Sequence, residues 1–473
     1  MRLLLRDFKD ALLAWSGVML VLIASQTTIG LLAMMLSSAR ALGDLPGMAE
    51  QGRTACQNLM IPFVALLVAA VLIVLQVVSS VINQRRRNLA LLALQGATPW
   101  QLTSLTCLRV LILALAASVV SLTASFLLVR PLYAWETSQF LIGKQPFIVS
   151  HQLASWAAGT SCGVLVALIG TLLTIRTISR ISPVESLRAA IIPPRAVGLV
   201  RRIAAALCLL AALAVMLMPI MQARIIPGEQ LVRLHTAAPI LPIAMGGTFG
   251  FMLLLAAICL AGPSLLGAVT SGWTRLVALL QPSWLIACRQ ASARMRSLSS
   301  TVLPLVVGVS LLMMTDSFYQ TSADSSHLLP PKLDVSSSDF SMLITLLGPA
   351  LVVTLAGVCA GYLISAHGRS LDLSLISIAG ADPNQLEIMS ALEGLIMATT
   401  AVLISLTSSL LPVLAYAIGF HKVFGAASIG IPWAHWVLVY LLLSSSASLA
   451  SWITVRKSAG RSPAGVIAQY TGE

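Results

Sequence analysis

The sequence predicts an all-α integral membrane protein of ten transmembrane helices arranged 4 + 2 + 4, two repeated four-helix units flanking a connecting pair. Three observations carry this. Hydrophobic residues make up 58% of the chain and charged residues 10%, outside the soluble globular range. Apolar runs of about 20 residues, the length a ~30 Å hydrocarbon core demands of a helix, recur from one end to the other. Finally, a basic segment at 84–102, QRRRNLALLALQGATPWQL, returns at 368–386 as GRSLDLSLISIAGADPNQL. At that single offset of 284 residues, Arg85/Arg369, Leu89/Leu373, Leu91/Leu375, Gly96/Gly380, Ala97/Ala381, Pro99/Pro383, Gln101/Gln385 and Leu102/Leu386 are identical.

The expected spans are 14–37, 60–82, 104–129, 153–175, 201–221, 237–262, 299–318, 341–365, 388–418 and 434–455. The first is longer than the h-region of a signal peptide and lacks a clean small-x-small site after it, so it reads as a retained span. Low aromatic content and the lack of alternating ten-residue segments argue against an outer-membrane barrel. The seven cysteines are odd in number and scattered, mostly in or beside apolar runs, and read as small apolar residues, not as a disulfide framework or a metal site.

Orientation follows from lysine and arginine. With the N-terminus inside, 21 of the 29 basic residues fall on inner segments, while the 16 acidic residues divide evenly. The net charge of +13 therefore lies on the cytoplasmic side, and both termini are expected there, with the protein in the inner (cytoplasmic) membrane of a bacterial cell. So placed, the charge is a topology signal and a contact with anionic headgroups, and no nucleic-acid partner is implied. Arg85, Arg86, Arg87 and Arg369 are the expected basic membrane anchors.

The flanks of the two units repeat as well. Residues 2–10, RLLLRDFKD, alternate charge with apolar residues at helical spacing and read as an interfacial helix feeding the first span. Residues 283–290, SWLIACRQ, followed by Arg294 and Arg296, precede the seventh span in the same way. The segment 176–187, RTISRISPVESL, closes the fourth span and 456–467, RKSAGRSPAGVI, closes the tenth, their Ser-Pro pairs 280 residues apart. The units run in the same direction, as a parallel duplication. The expected domains are 1–190, a connecting pair over 191–283, and 284–473. External loops are short, and none approaches the ~50 residues of a small independent domain.

The repeated segment has a physical reading of its own. Leu89, Leu92 and Gln95/Gly96 follow helical spacing, the arginines hold its start at headgroup level, Gly96 ends the helix, and Thr98-Pro99 opens the next. The result is a short helix and a sharp corner that another protein could grip. Topology alone requires arginines; it does not require the Gly-Ala-x-Pro-x-Gln-Leu corner twice.

This segment, with the basic Ser-Pro-Val-Glu-Ser-Leu closure of the fourth span, resembles the signature of FtsX-like ABC transporter permeases, and the resemblance covers both four-span units. It implies a permease subunit whose corners dock into a separate cytosolic ATP-binding subunit, in two copies. Carried over by position, the coupling contacts are Leu94, Gly96, Ala97, Thr98 and Pro99, and in the second half Ile378, Gly380, Ala381, Asp382 and Pro383. Mg-ATP is expected in the partner and no cofactor in this chain. An additional envelope or regulatory protein is a further partner the resemblance leaves open. There are two departures. Asn88 stands where the family places an acidic residue, with Asp372 at the matching place in the second half. The large extracytoplasmic domain of the macrolide-exporter, lipoprotein-release and bacitracin-resistance branches is missing, so no substrate carries over from them.

The residues fit this division of labour. No G-x-x-x-x-G-K-[ST] P-loop occurs, so ATP belongs to a partner. His151, His235, His327, His367, His421 and His435 are dispersed, with no catalytic constellation and no metal site. Arg109 and Glu393 occupy equivalent positions near the cytoplasmic ends of spans three and nine. They read either as side chains that snorkel to the headgroups or as a pair between the repeats. Asp316, near the outer end of span seven, reads as interfacial.

The expected function is export or membrane extraction of an amphipathic substrate, a peptide or lipid, powered by a separate ATPase. The alternative is an ATPase-driven transducer that signals to a cell-envelope partner or sensor without moving cargo. An ion-coupled secondary transporter is disfavoured by the scarcity of ionisable residues deep in the spans.

Overall fold

A computed structural model describes residues 12–84, 91–140, 152–178, 199–223, 241–277, 282–295, 298–326, 328, 348–361, 380 and 382–458. The described regular structure is entirely helical: α1 (Leu12–Gly43), α2 (Ala49–Gln84), α3 (Pro99–Phe140), α4 (Gln152–Ile178), α5 (Leu199–Gln222), α6 (Leu241–Leu276), α7 (Pro282–Arg294), α8 (Ser299–Ser326), α9 (Gly348–Gly361), α10 (Pro383–Phe424) and α11 (Trp433–Ser458). A helical turn at 91–94 precedes α3.

Seven of these helices (α1, α3, α4, α5, α6, α8 and α10) are long and apolar enough to cross a membrane. Three shorter apolar stretches, Leu66–Ile82, Gly348–Gly361 and Trp433–Leu449, coincide with the second, eighth and tenth expected spans. The protein is a multi-pass membrane protein. α3 and α10 are each 42 residues long, beyond the spans expected from apolarity alone, because each helix continues back to its proline at the repeated corner and also runs on past the far end of the expected span.

Hydrocarbon offers no water to backbone or hydroxyl groups, so polar groups must be satisfied within the protein. On α1, Ser25, Thr28 and Ser37 turn their hydroxyls onto the carbonyls of Leu22, Ala24 and Met34. The same backbonding recurs at Thr106, Thr171, Thr270 and Thr400.

The chain packs as two compact units. The first comprises Met1–Pro193 with Ser341–Ile364; the second comprises Pro194–Phe340 with Ser365–Glu473. In the first, α1 packs against α2, α3 and α4. Gln26 of α1 is wholly buried; its Nε2 donates to the Ala114 carbonyl at 3.2 Å, and its Oε1 accepts from the Ser118 hydroxyl at 3.0 Å, fixing the register of α1 against α3. α9 belongs to this unit, and a side chain at Gly17 of α1 would meet the Ala360 backbone at 3.2 Å. The packing units therefore do not follow the sequence repeat. α9 corresponds to α2 by position, yet it shares the unit of α1.

In the second unit α10 is the hub, packed by α11, α8, α6, α7 and α5. The connecting pair, α5 and α6, is part of this unit. Gly246 and Gly250 of α6 allow the helices to touch: a Cβ at Gly246 would overlap Pro219, and one at Gly250 would overlap Met216. α6 is fastened to α10 by Thr270 and Trp273, both on the Thr400 hydroxyl at 3.1 and 3.0 Å, and by Gly247 beneath the Tyr416 ring. From α10 the Lys422 ammonium donates to the Ile220 carbonyl of α5 at 3.3 Å.

Candidate functional site

The first corner is built as its residues dictate. Gly96 has φ 96°, a left-handed conformation that costs a side chain about 1–2 kcal/mol. From there Gly96 N–H donates to the Ala93 carbonyl and Ala97 N–H to that of Leu92, a Schellman closure of the helical turn. Thr98 then caps α3. Its N–H donates to Gln101 Oε1 at 2.9 Å while Gln101 N–H donates to Thr98 Oγ1 at 3.3 Å, a reciprocal capping box with Pro99 in the first helical position. Leu94, Gly96, Thr98 and Trp100 are exposed, Ala97 half-buried.

The described residues of the second corner repeat two of these features, the left-handed glycine and the proline-led helix start. Gly380 has φ 95°, Asp382 N–H donates to Gln385 Oε1 at 3.4 Å, and Pro383 opens α10. Its exposed residues are Gly380, Asp382, Asn384 and Gln385. Ile378, Ala381, Arg85, Arg86, Arg87 and Arg369 lie outside the described residues. One asymmetry stands out. Trp100, 78% exposed at the tip of the first corner, is matched at the second by Asn384. Trp100 was absent from the expected contacts, although a tryptophan one residue past a capping proline is a sequence signal for a projecting apolar tip.

A search of curated proteins returns no match to this chain. Residues 59–183 do match a family, the FtsX-like permease C-terminal domain. This matched segment is similar to an FtsX-like permease domain. It begins within α2 and takes in the first corner, α3 and α4. The second corner lies beyond the match and is tied to the FtsX-like domain by the repeat and by its backbone geometry.

Arg109 and Glu393 stand at equivalent positions on α3 and α10, but both are buried, at 8% and 5% exposure, and neither reaches solvent as a snorkelling side chain does. Asp316, read from the sequence as interfacial, is enclosed by protein. It is 0% exposed on α8, and its Oδ2 lies 3.0 Å from Nδ1 of His435 in the first turn of α11. A carboxylate out of water needs a partner, and the fold brings this one from 119 residues away.

The segment before α11 is clasped to the same end of α8. Thr321 Oγ1 donates to the Gly430 carbonyl and accepts from its N–H, at 3.3 and 3.2 Å. Ser325 Oγ does the same for Ser428, at 3.3 and 3.2 Å. Just beneath, Trp436 is buried with Val309, Met313 and Val402. The end of α8, the 426–432 segment and the start of α11 are thus one hydrogen-bonded assembly.

In the first unit a small apolar crevice of about 10 Å³, no larger than a water molecule, is lined by Ser25, Ile29, Leu67, Val74, Cys162 and Gly163. Among the described residues, no group of three His, Cys, Asp or Glu side chains could hold a metal ion.

Proposed function

We propose that this chain is the membrane subunit of an ABC transporter, that it crosses the bilayer ten times with both termini in the cytosol of a bacterial cell, and that a separate cytosolic ATPase grips its two corners. The permease class is that of the matched domain, and the family generally works with an ABC ATPase. One observation carries the coupling role: at Gly96–Pro99 and at Gly380–Pro383 a left-handed glycine delivers the chain into a proline-capped helix of 42 residues. From the corner to its interior proline, Pro131 or Pro412, each helix runs about 44–48 Å, more than a hydrocarbon thickness, so a push at the corner is carried along it into the membrane. The absence of a P-loop from the sequence assigns nucleotide binding to the partner.

The cargo we propose is amphipathic, a peptide or lipid exported or extracted from the bilayer. Apolar outer faces on the membrane-length helices suit a molecule that arrives through the membrane.

The test is co-expression with ABC ATPases from the same genome, followed by affinity purification and reconstitution. One ATPase should co-purify, its hydrolysis should respond to the permease, and Ala97→Glu should abolish both effects while the chain stays folded. If no P-loop ATPase is retained, the proposal fails. Retention with ATP-driven shape change but no movement of lipid or peptide in proteoliposomes would transfer the reading to a signal transducer.

A further inference from the structure

The end of α6 and the start of α7 form a corner that nothing in the coupling role uses. Trp284 Nε1 donates to the Val277 carbonyl at 2.8 Å, and the rings of Trp273 and Trp284 meet edge to face at 6.2 Å. α7 turns one face inward, burying Trp284, Ala287, Cys288 and Ala291, with Met295 buried just beyond its end. Its opposite face presents Leu285 and Ile286, 49% and 47% exposed, on either side of an exposed Arg289. The last turn of α6 adds an exposed Arg275 beside Leu276, which is 87% exposed.

Three large apolar side chains held outward beside two arginines are costly in water, since each isolated leucine-sized group forgoes about 1.5–3 kcal/mol of burial. α6 is long and apolar enough to cross a membrane, and its 36 residues, about 54 Å, exceed a ~30 Å hydrocarbon core, so it reaches into the headgroup region. Tryptophan and arginine collect at that level for physical reasons: the indole has an apolar body and a polar edge, and the guanidinium pairs with phosphate. α7 is amphipathic in the sense such a level requires, with one face on protein, and the other apolar and cationic.

We propose that this corner is a binding surface for anionic phospholipid, with Arg275 and Arg289 drawing the headgroup phosphate and Leu276, Leu285 and Ile286 lying against the acyl chains. The mean contribution of a basic residue near an anionic bilayer corresponds to about a fivefold preference per arginine.

Native mass spectrometry of the purified full-length chain, released from micelles doped with phosphatidylglycerol or phosphatidylcholine, reads the surface directly. The wild type should retain phosphatidylglycerol preferentially. Arg275→Gln and Arg289→Gln should each lower that preference about fivefold while leaving phosphatidylcholine retention unchanged. Leu285→Ser with Ile286→Ser should reduce retention of both lipids equally. Excess inorganic phosphate or glycerol phosphate should not displace the lipid, because the acyl chains hold it. Equal retention of the two lipids by the wild type, an unchanged preference in both arginine variants, or displacement by free phosphate would each overturn the proposal. Thermal unfolding in neutral lipid confirms that the variants are folded, since both arginines are exposed and support no core contact. The measurement involves this chain alone, so its outcome is independent of any ATPase.

Discussion

Asp316 of α8 is completely buried, and its carboxylate lies 3.0 Å from the imidazole of His435 on α11. Removing one member of a buried pair costs about 3–5 kcal/mol, and the partial exposure of His435 places this case toward the lower end. His435→Ala takes the imidazole from a carboxylate wholly out of solvent, whereas Asp316→Asn leaves a neutral amide facing a ring that water can reach. His435→Ala should therefore be the more destabilising change. A double-mutant cycle on thermal or denaturant unfolding in detergent should give a coupling energy of about 1–3 kcal/mol. Additive effects would show that the contact contributes nothing of its own.

That pair also marks where sequence reading stopped. The all-helical, multi-pass character, the repeated corner and its termination at Gly96 and Gly380 were legible because apolar run length, left-handed glycine and capping proline are local signals. Asp316 and His435 were read as an interfacial residue and a dispersed histidine, since nothing in their surroundings relates positions 119 residues apart. The association of α9 with the first unit was hidden for a similar reason. A repeat specifies equivalent elements; which neighbour each packs against depends on long-range surfaces such as Gly17 against Ala360. Trp100 was readable and overlooked, because the expected contacts followed the family pattern and stopped at Pro99.

Small residues decide how closely the connecting pair closes. A Cβ at Gly250 would strike the Met216 side chain and lie 2.9 Å from the Ala212 carbonyl, which is backbone and cannot step aside. Gly250→Leu should cost at least the ~1–3 kcal/mol typical of overpacking. It should separate α5 from α6 enough for proteolysis between them to accelerate. Gly272→Ala is the control, because a Cβ there meets nothing within 4 Å. If both variants melt with the wild type, the helices are held by something other than this contact.

Cys56 lies on the polar first part of α2, before the apolar stretch Leu66–Ile82. Burial pushes its thiol above the ordinary range, and the Arg40 guanidinium opposes that shift. The thiolate is the reacting species, so alkylation by a maleimide at neutral pH should be slower than for a free thiol and should keep rising with pH beyond the point where a free thiol levels off. Arg40→Gln removes the opposing cation and should slow the reaction further. The measurement is a pH–rate profile on a variant retaining Cys56 alone; a faster reaction in Arg40→Gln would contradict the assignment of causes.

The two corners share a left-handed glycine and a proline-led helix start but offer a partner different surfaces. Trp100 and Leu94 project from the first at 78% and 51% exposure; Asp382 and Asn384 occupy the second. Exposed aromatic anchors dominate protein interfaces, each worth about 2 kcal/mol or more when buried by a partner. Trp100→Ala should leave the unfolding midpoint within the ~0.5 kcal/mol of an ordinary surface change while weakening ATPase capture by roughly 30-fold. The glycines sharpen the contrast. Proline cannot adopt the φ of 96° at Gly96 and would delete the N–H that donates to Ala93, so Gly96→Pro destroys the corner itself, and Ala97→Glu places a charge on its face. Both changes should uncouple ATPase binding more than Gly380→Pro and Ala381→Glu, because the apolar tip resides at the first corner. Binding titrations of a purified ATPase against the four variants decide this, and equal losses at the two corners would show that the ATPase reads the shared backbone and ignores the tryptophan.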